Sequence, residues 1–254
     1  MMSKITRESA LVKRNVSYHD TLNSAAWKED NLTLKAEIRQ RLLEIANVFI
    51  TFLNISNLKV EDIVLTGSNA NYNWTKFSDF DVHVIVDYDH VAKIDIATEL
   101  FNAKKSLWNE MHDITVKGYD VEMYVEDTDN PPISQGVFSL LRNKWIRKPT
   151  HKPPTINDDA VDAKVRYLMS VIDDVVDTDS DDVELYDRLT DKIKKMRKAG
   201  LDRGGEYSVE NLTFKVLRNE GYLSKLWDAK TKAFDRKLTL ERALVVDTSR
   251  SRFR

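Results

Sequence analysis

Between Leu32 and Leu53 apolar residues return every three or four positions, and Leu34, Ile38, Leu42, Ile45, Phe49 and Leu53 make one stripe. That spacing predicts an amphipathic helix, with Asp30 or Asn31 placed to cap its start. The segment Asp62 to Thr66 is short and rich in Ile, Val and Leu, which reads as a strand. From Asp79 to Val86 the period changes to two: Phe80, Val82, Val84 and Val86 alternate with Asp79, Asp81, His83 and Ile85. A second helix is expected after it, with Leu100, Ala103, Leu107 and Met111 on its apolar face. Asp113 to Val125 reads as two strands turning near Lys117-Gly118, the second carrying Val121, Met123 and Val125 inward. Ser134, just beyond Pro131-Pro132, is placed to cap a helix bearing Val137, Phe138, Leu141 and Trp145.

The prolines of residues 149–154 (PTHKPP) stop both helix and sheet and predict a linker over 149–155. Beyond it the periodicity is helical throughout. Val161, Val165, Leu168, Ile172 and Val175 form one stripe, and Tyr186, Leu189, Ile193 and Met196 another. Gly200 is read as the end of that second helix, Ser208 as the cap of a third with Leu212 and Val216, and Gly221 as the break before a fourth from Tyr222 to Phe234. The expected class is α+β. A small mixed sheet with flanking helices occupies 1–148, an all-helical domain 156–246, and a tail without apolar periodicity, read as disordered, 247–254.

Composition narrows the chemistry. The 254 residues contain no cysteine, which excludes disulfides, thiolate metal sites and a thiol nucleophile. The N-terminal stretch lacks the apolar run of a signal peptide, and no apolar stretch is long enough to span a bilayer, so a soluble cytoplasmic protein with no membrane partner is expected. The net charge of −2 conceals two blocks. Asn157 to Asp187 holds 11 acidic and 2 basic residues, whereas the chain from Arg188 onward holds 18 basic and 9 acidic.

The segment GSNANYNWTKFSDFD, Gly67 to Asp81, and the later DVEM, Asp120 to Met123, carry the candidate chemistry. Alternate strand positions face the same side, so Asp79 and Asp81 reach one ion above that face. A neighbouring strand offering Glu122 adds a third carboxylate. Asp120 shares its face with Glu122 and is the alternative; Glu122 is preferred because Val121 and Met123 flank it deeper in the apolar strand. Three hard oxygen ligands suit Mg²⁺ or Mn²⁺ rather than Zn²⁺. Gly67-Ser68, where a strand ends, lets the backbone approach a phosphate. A phosphate cradle beside clustered carboxylates points to phosphoryl or nucleotidyl transfer.

Gly-Ser, an Asp-x-Asp about twelve residues on and a later acidic residue in a strand resemble the DNA polymerase beta superfamily of nucleotidyltransferases. Val64 to Tyr124, with GVFSLLRNKWI after it, is also similar to uncharacterised predicted nucleotidyltransferases of bacteria and tailed phages. The resemblance covers about a quarter of the chain. It implies a palm-like catalytic domain, with Gly67, Ser68 and Ser78 toward the nucleotide phosphates and Asp79, Asp81 and Glu122 as metal ligands and catalytic residues. It further implies transfer of a nucleoside monophosphate from an NTP, by family habit ATP, to an acceptor hydroxyl. Many members place a second glycine midway in the loop, where this chain has Tyr72.

The acceptor stays open: an RNA 3′ end gripped by the basic region, a protein hydroxyl or a small molecule. A nucleotide-binding regulator without activity is the alternative of another class. Lys192, Lys194, Lys195, Arg197 and Lys198 either grip nucleic acid or form a solvated face that complements the helix dipole. His83 shares the face of the aspartates and is expected to pack or hydrogen-bond beside the site. Trp27, Trp74, Trp108, Trp145 and Trp227 read as core or interdomain residues, with Trp74 also near enough in sequence to contact a base.

Overall fold

A computed structural model describes residues 12–13, 15–30 and 32–239; Asn31 and the tail assigned to 247–254 lie outside the described residues. The chain divides into two compact units, Ala10–Thr155 and a helical one that begins at Ile156. The first holds a mixed six-stranded sheet in the order β3-β4-β2-β1-β5-β6. Its strands are β1 (Val60–Thr66), β2 (Phe80–Val86), β3 (Thr115–Val116), β4 (Tyr119–Asp127), β5 (Val137–Ser139) and β6 (Lys144–Arg147). Helix α1 (Ala36–Leu53) precedes β1, and α2 (Ile94–Met111) joins β2 to β4. β2 and β4 run parallel, and every other neighbouring pair is antiparallel.

The core follows from the period-two strands. Phe80, Val82 and Val84 of β2, with Val121, Met123 and Val125 of β4, pack with Ile38, Leu42, Ile45 and Phe49 of α1. Lys117 (φ 54°) and Gly118 (φ 82°) make the tight turn between β3 and β4. No helix among the described residues is long and apolar enough to cross a membrane.

Three expectations for this unit are corrected. Asp30 does not cap α1: its carboxylate accepts from the backbone N–H of Leu32 and Thr33, both at 2.9 Å, and closes a turn before the helix. The helix starts after Lys35, which provides no side-chain cap. On α2 the buried residues are Ala97, Phe101 and Trp108, while Leu107 and Met111 are exposed. The aromatic rings decide the face, because Trp108 packs on Phe49 and Phe52 and Phe101 on Tyr88. The segment after Ser134 is a hairpin, not a helix. Val137 and Phe138 extend the sheet beyond β1, and Asn143, at φ 51°, turns the chain into β6. An apolar run this short satisfies either period, and β-branched and aromatic residues favour the strand.

The second unit packs α3 (Asp158–Asp177), α4 (Val183–Gly204), α5 (Val209–Asn219) and α6 (Tyr222–Leu238). Leu168 and Ile172, Tyr186, Leu189 and Ile193, Phe214 and Leu217, and Leu223 and Leu226 share its core. Ser208 caps α5 through the N–H of Asn211. Gly200 does not end α4. It lies inside the helix where a Cβ would stand 2.4 Å from that of Glu210, so glycine there admits α5. The two charge blocks largely neutralise each other. Lys164 meets Glu210 at 2.7 Å, Lys225 meets Asp173 at 2.6 Å, Lys230 meets Asp187 at 2.5 Å, and Arg236 bridges Asp179 and Asp181.

The Lys164 hydrogen bond, first among several causes, holds the Glu210 carboxyl below its ordinary 4.5. A depressed carboxylate stabilises the fold above its unfolded value and loses that contribution as pH falls through the folded one. Lys164→Met is therefore expected to cost about 0.5–1 kcal/mol at neutral pH. Urea titrations should show the gap from the wild type closing as pH falls below 4.5; a gap independent of pH would exclude the ion pair as its source.

Candidate active site

The loop between β1 and β2 is built from buried amides. Asn69 is fully buried; its Nδ2 donates to the carbonyl of Asp79 at 3.0 Å, and its Oδ1 accepts from Asn23 at 2.7 Å. The indole N–H of Trp27 donates to the Asn69 carbonyl at 2.7 Å. Further along, His19 stacks on Trp74 with centroids 3.9 Å apart, and the Trp74 indole N–H donates to the Thr21 carbonyl. The chain before α1 thus straps the loop down, a role its weak periodicity did not signal. Tyr72 stands at negative φ and packs with Tyr18 and His151, so this loop needs no second glycine there.

Gly67 is a different matter. It adopts φ 72°, ψ −162°, a region essentially closed to other residues. A Cβ on it would lie 1.7 Å from Oδ2 of Asp81, so the carboxylate rests on the bare glycine backbone. The Ser68 hydroxyl donates to that of Ser78 at 2.7 Å, and Ser78 also accepts from the Thr75 N–H at 2.8 Å. Ser78 is buried behind Ser68, which is partly exposed. Gly136, unremarked in the sequence, lies where a Cβ would strike the Ala70 carbonyl oxygen at 1.8 Å.

Strand register aligns the carboxylates. Thr66 is the cross-strand partner of Asp81, and Asp81 that of Glu122, so three adjacent strands contribute to one row on one face. Asp79 lies just ahead of β2, two positions before Asp81. Asp120 is exposed and pairs across to Thr115 in β3. Tyr124, on the same face two residues after Glu122, donates its hydroxyl to Glu122 Oε2. Its phenol is pushed far above the ordinary range, first by burial, then by the negative charges of Glu122 and Asp81, the bond to Glu122, and the charge of Asp79. One hydroxyl therefore senses all three carboxylates named from the sequence.

His83 stacks on Tyr124, centroids 4.5 Å apart and planes at 12°, and its Nδ1 lies 3.3 Å from Glu126. It packs beside the row. Lys105 of α2 lies 4.9 Å from the Tyr124 centroid. Neither Tyr124 nor Lys105 was singled out in the sequence, although Tyr124 shares the period of Glu122. Trp27 and Trp145 stack on each other in the core, centroids 4.6 Å apart.

No protein-family model matches the chain, and no curated protein does. A solved structure described as a STING-associated CdnE c-di-GMP synthase from Capnocytophaga granulosa is similar over 80% of this chain and 84% of its own. The identity is 12% and the TM-score 0.24, too slight a likeness to say anything of this chain's chemistry.

The residues fit a divalent cation in type and register: hard oxygen donors in one row beside a bare glycine turn. Among the described residues no three His, Cys, Asp or Glu side chains converge closely enough to hold one. The Glu122 oxygen is engaged by Tyr124 and Asp81 lies against Gly67, so convergence requires these carboxylates to turn about their own side-chain torsions.

Proposed function

We propose that the protein is a metal-dependent nucleotidyltransferase that moves a nucleoside monophosphate from an NTP, ATP by preference, to an acceptor hydroxyl with release of pyrophosphate. The observation that carries this reading is the row Thr66-Asp81-Glu122 beside Gly67, with Asp79 close enough to act on the same tyrosine. Asp79, Asp81 and Glu122 would hold Mg²⁺ or Mn²⁺, which supplies Lewis acidity toward phosphoryl oxygens and acidifies a hydroxyl. Gly67 and Ser68 hold the nucleotide phosphates, the first by admitting close backbone approach and the second through its hydroxyl. Ser78 aligns Ser68 by accepting its proton, and Asn69 fixes the backbone of Asp79. In the reaction the acceptor oxygen bonds to the α-phosphorus, its proton leaves, and the bond to pyrophosphate breaks.

Lys192, Lys194, Lys195 and Lys198 favour RNA over a small molecule as acceptor. They are exposed on α4 and pair with no described carboxylate, whereas most of the neighbouring basic residues are neutralised. Arg197 does not belong with them: it bonds to Asn211 and lies 4.3 Å from the Phe214 ring centroid.

The test is incubation with each labelled NTP, Mg²⁺ or Mn²⁺, and cell extract. Label should move onto a macromolecule and be released by nuclease; release by protease would reassign the acceptor, and no transfer with any NTP would leave a binding protein. Binding is checked separately. Metal with a non-hydrolysable NTP at about 100 times Kd contributes about 2.7 kcal/mol, a rise of about 5–10 °C in Tm for a unit of this size. Asp79→Asn with Asp81→Asn should remove that rise and leave the ligand-free protein at least as stable, because neighbouring carboxylates repel. An unchanged rise in the double variant would dismiss the metal site.

A further inference from the structure

The Glu122 side chain has three torsions and stands in register with Asp81, whose charge repels it. One group fixes it, the Tyr124 hydroxyl at Oε2, and that group is itself held on several sides. The phenol ring stacks on its cross-strand partner His83, and His83 is anchored by Glu126. The Lys105 ammonium lies over the same ring. Lys105 is carried by α2, and one turn further along that helix Asn109 bonds both the N–H and the carbonyl of Met123, at 3.1 and 3.2 Å. The helix is thereby fixed to the open edge of β4. Stacking alone would be served by phenylalanine; the hydroxyl has Glu122 as its partner.

We infer that Tyr124 is a positioning residue that holds the Glu122 carboxylate in register with Asp81 and so sets the affinity of this row for a divalent cation. The inference rests on the metal-site reading above. The hydroxyl takes Oε2 and leaves Oε1 for a ligand, and the held ring restricts Glu122 to few orientations. Hydrogen-bond partners of ligating carboxylates commonly govern affinity in this way, and their loss weakens metal binding by about 10–100-fold.

The probe is Mn²⁺ alone, its free concentration read by electron paramagnetic resonance, against the full chain as wild type, Tyr124→Phe, Glu122→Gln and the double variant. Tyr124→Phe keeps the ring and should weaken Mn²⁺ binding about 10-fold or more, with the urea midpoint nearly unchanged. In the Glu122→Gln background the same change should add nothing, because the phenol acts through that carboxylate. Wild-type affinity in Tyr124→Phe, or losses that multiply in the double variant, would overturn the proposal. A wild type that binds no Mn²⁺ would remove the metal site and this role together, so the two failures are told apart. Should Tyr124→Phe not fold, Lys105→Met removes the cation over the ring and spares the hydroxyl. It should weaken Mn²⁺ about 2–5-fold, and an unchanged affinity there would count equally against the inference.

Discussion

Glu122→Gln is expected to eliminate nucleotidyl transfer, by a factor on the order of 10³ or more, while NTP binding largely survives. The amide keeps the shape of the carboxylate and can still accept from Tyr124, so the local packing stays. What it loses is the negative charge that helps hold the cation next to the acceptor hydroxyl. Forfeiting about 4 kcal/mol of transition-state stabilisation there, at about 1.4 kcal/mol per tenfold, gives the stated factor. Asp120→Asn should cost far less. Asp120 is exposed, its cross-strand partner is Thr115 in β3, and it is absent from the charges that raise the Tyr124 phenol, whereas Asp79, Asp81 and Glu122 all contribute. Single-turnover transfer rates, with equilibrium NTP binding measured alongside, decide between the two carboxylates. A larger loss in Asp120→Asn would show that the third ligand had been misassigned.

The residues that read correctly from sequence share a physical reason: their periodicity is imposed by one buried face. Phe80, Val82 and Val84 must point inward, so Asp81 and His83 must point the other way, and the same holds for Glu122 between Val121 and Met123. Register between strands is not written in either strand alone. That Asp81 faces Glu122 rather than Asp120 depends on how β4 is placed beside β2 by the α2 crossover, which no local pattern encodes. The hairpin of β5 and β6 was misread for a related reason. Val137, Phe138, Leu141 and Trp145 fit a helical stripe, and only the pairing of β5 with β1 selects the extended form. On α2 the apolar count favoured Leu100, Leu107 and Met111, but Phe101 and Trp108 offer more area and ring contacts with Phe49, Phe52 and Tyr88.

Polar supports were the least legible part of the site. Asn23, Asn69 and Trp27 join through three bonds that cross more than forty positions of sequence or close the loop onto itself. Tyr124 acts on Glu122 from the same strand, yet tyrosine is an ordinary strand residue, and its partner is visible only in three dimensions. Charge was legible in quantity and not in arrangement: the acidic block of α3 and the start of α4 is the counterpart of basic residues on α4, α5 and α6, leaving the few lysines of α4 as the exception.

Gly67→Ala should reduce both stability and transfer, and comparison with Gly118→Ala separates the two effects. Both glycines have positive φ, 72° and 82°, so alanine strains the backbone at either. The expected cost is about 1–2 kcal/mol for a side chain in the left-handed region. It rises toward about 3 kcal/mol at Gly67, whose ψ of −162° puts it where almost only glycine is found. The surroundings differ more than the backbone does. Nothing lies within 4 Å of a Cβ on Gly118, whereas one on Gly67 would meet Oδ2, Cγ and Cβ of Asp81 at 1.7, 2.7 and 3.2 Å. The flexible end of Asp81 can move aside, but in moving it leaves its place opposite Glu122, and a displacement of about 1 Å at a catalytic group costs about 10²-fold in rate. Gly67→Ala is therefore expected to lose about 10²-fold or more in transfer at a temperature where it remains folded, while Gly118→Ala loses stability and keeps its rate. Denaturant titrations of both variants, with transfer assayed well below each midpoint, make the comparison. Equal rates in the two variants would mean that Asp81 does no work that depends on its seat against the Gly67 backbone, and the carboxylate row would have to be given up as the centre of the reaction.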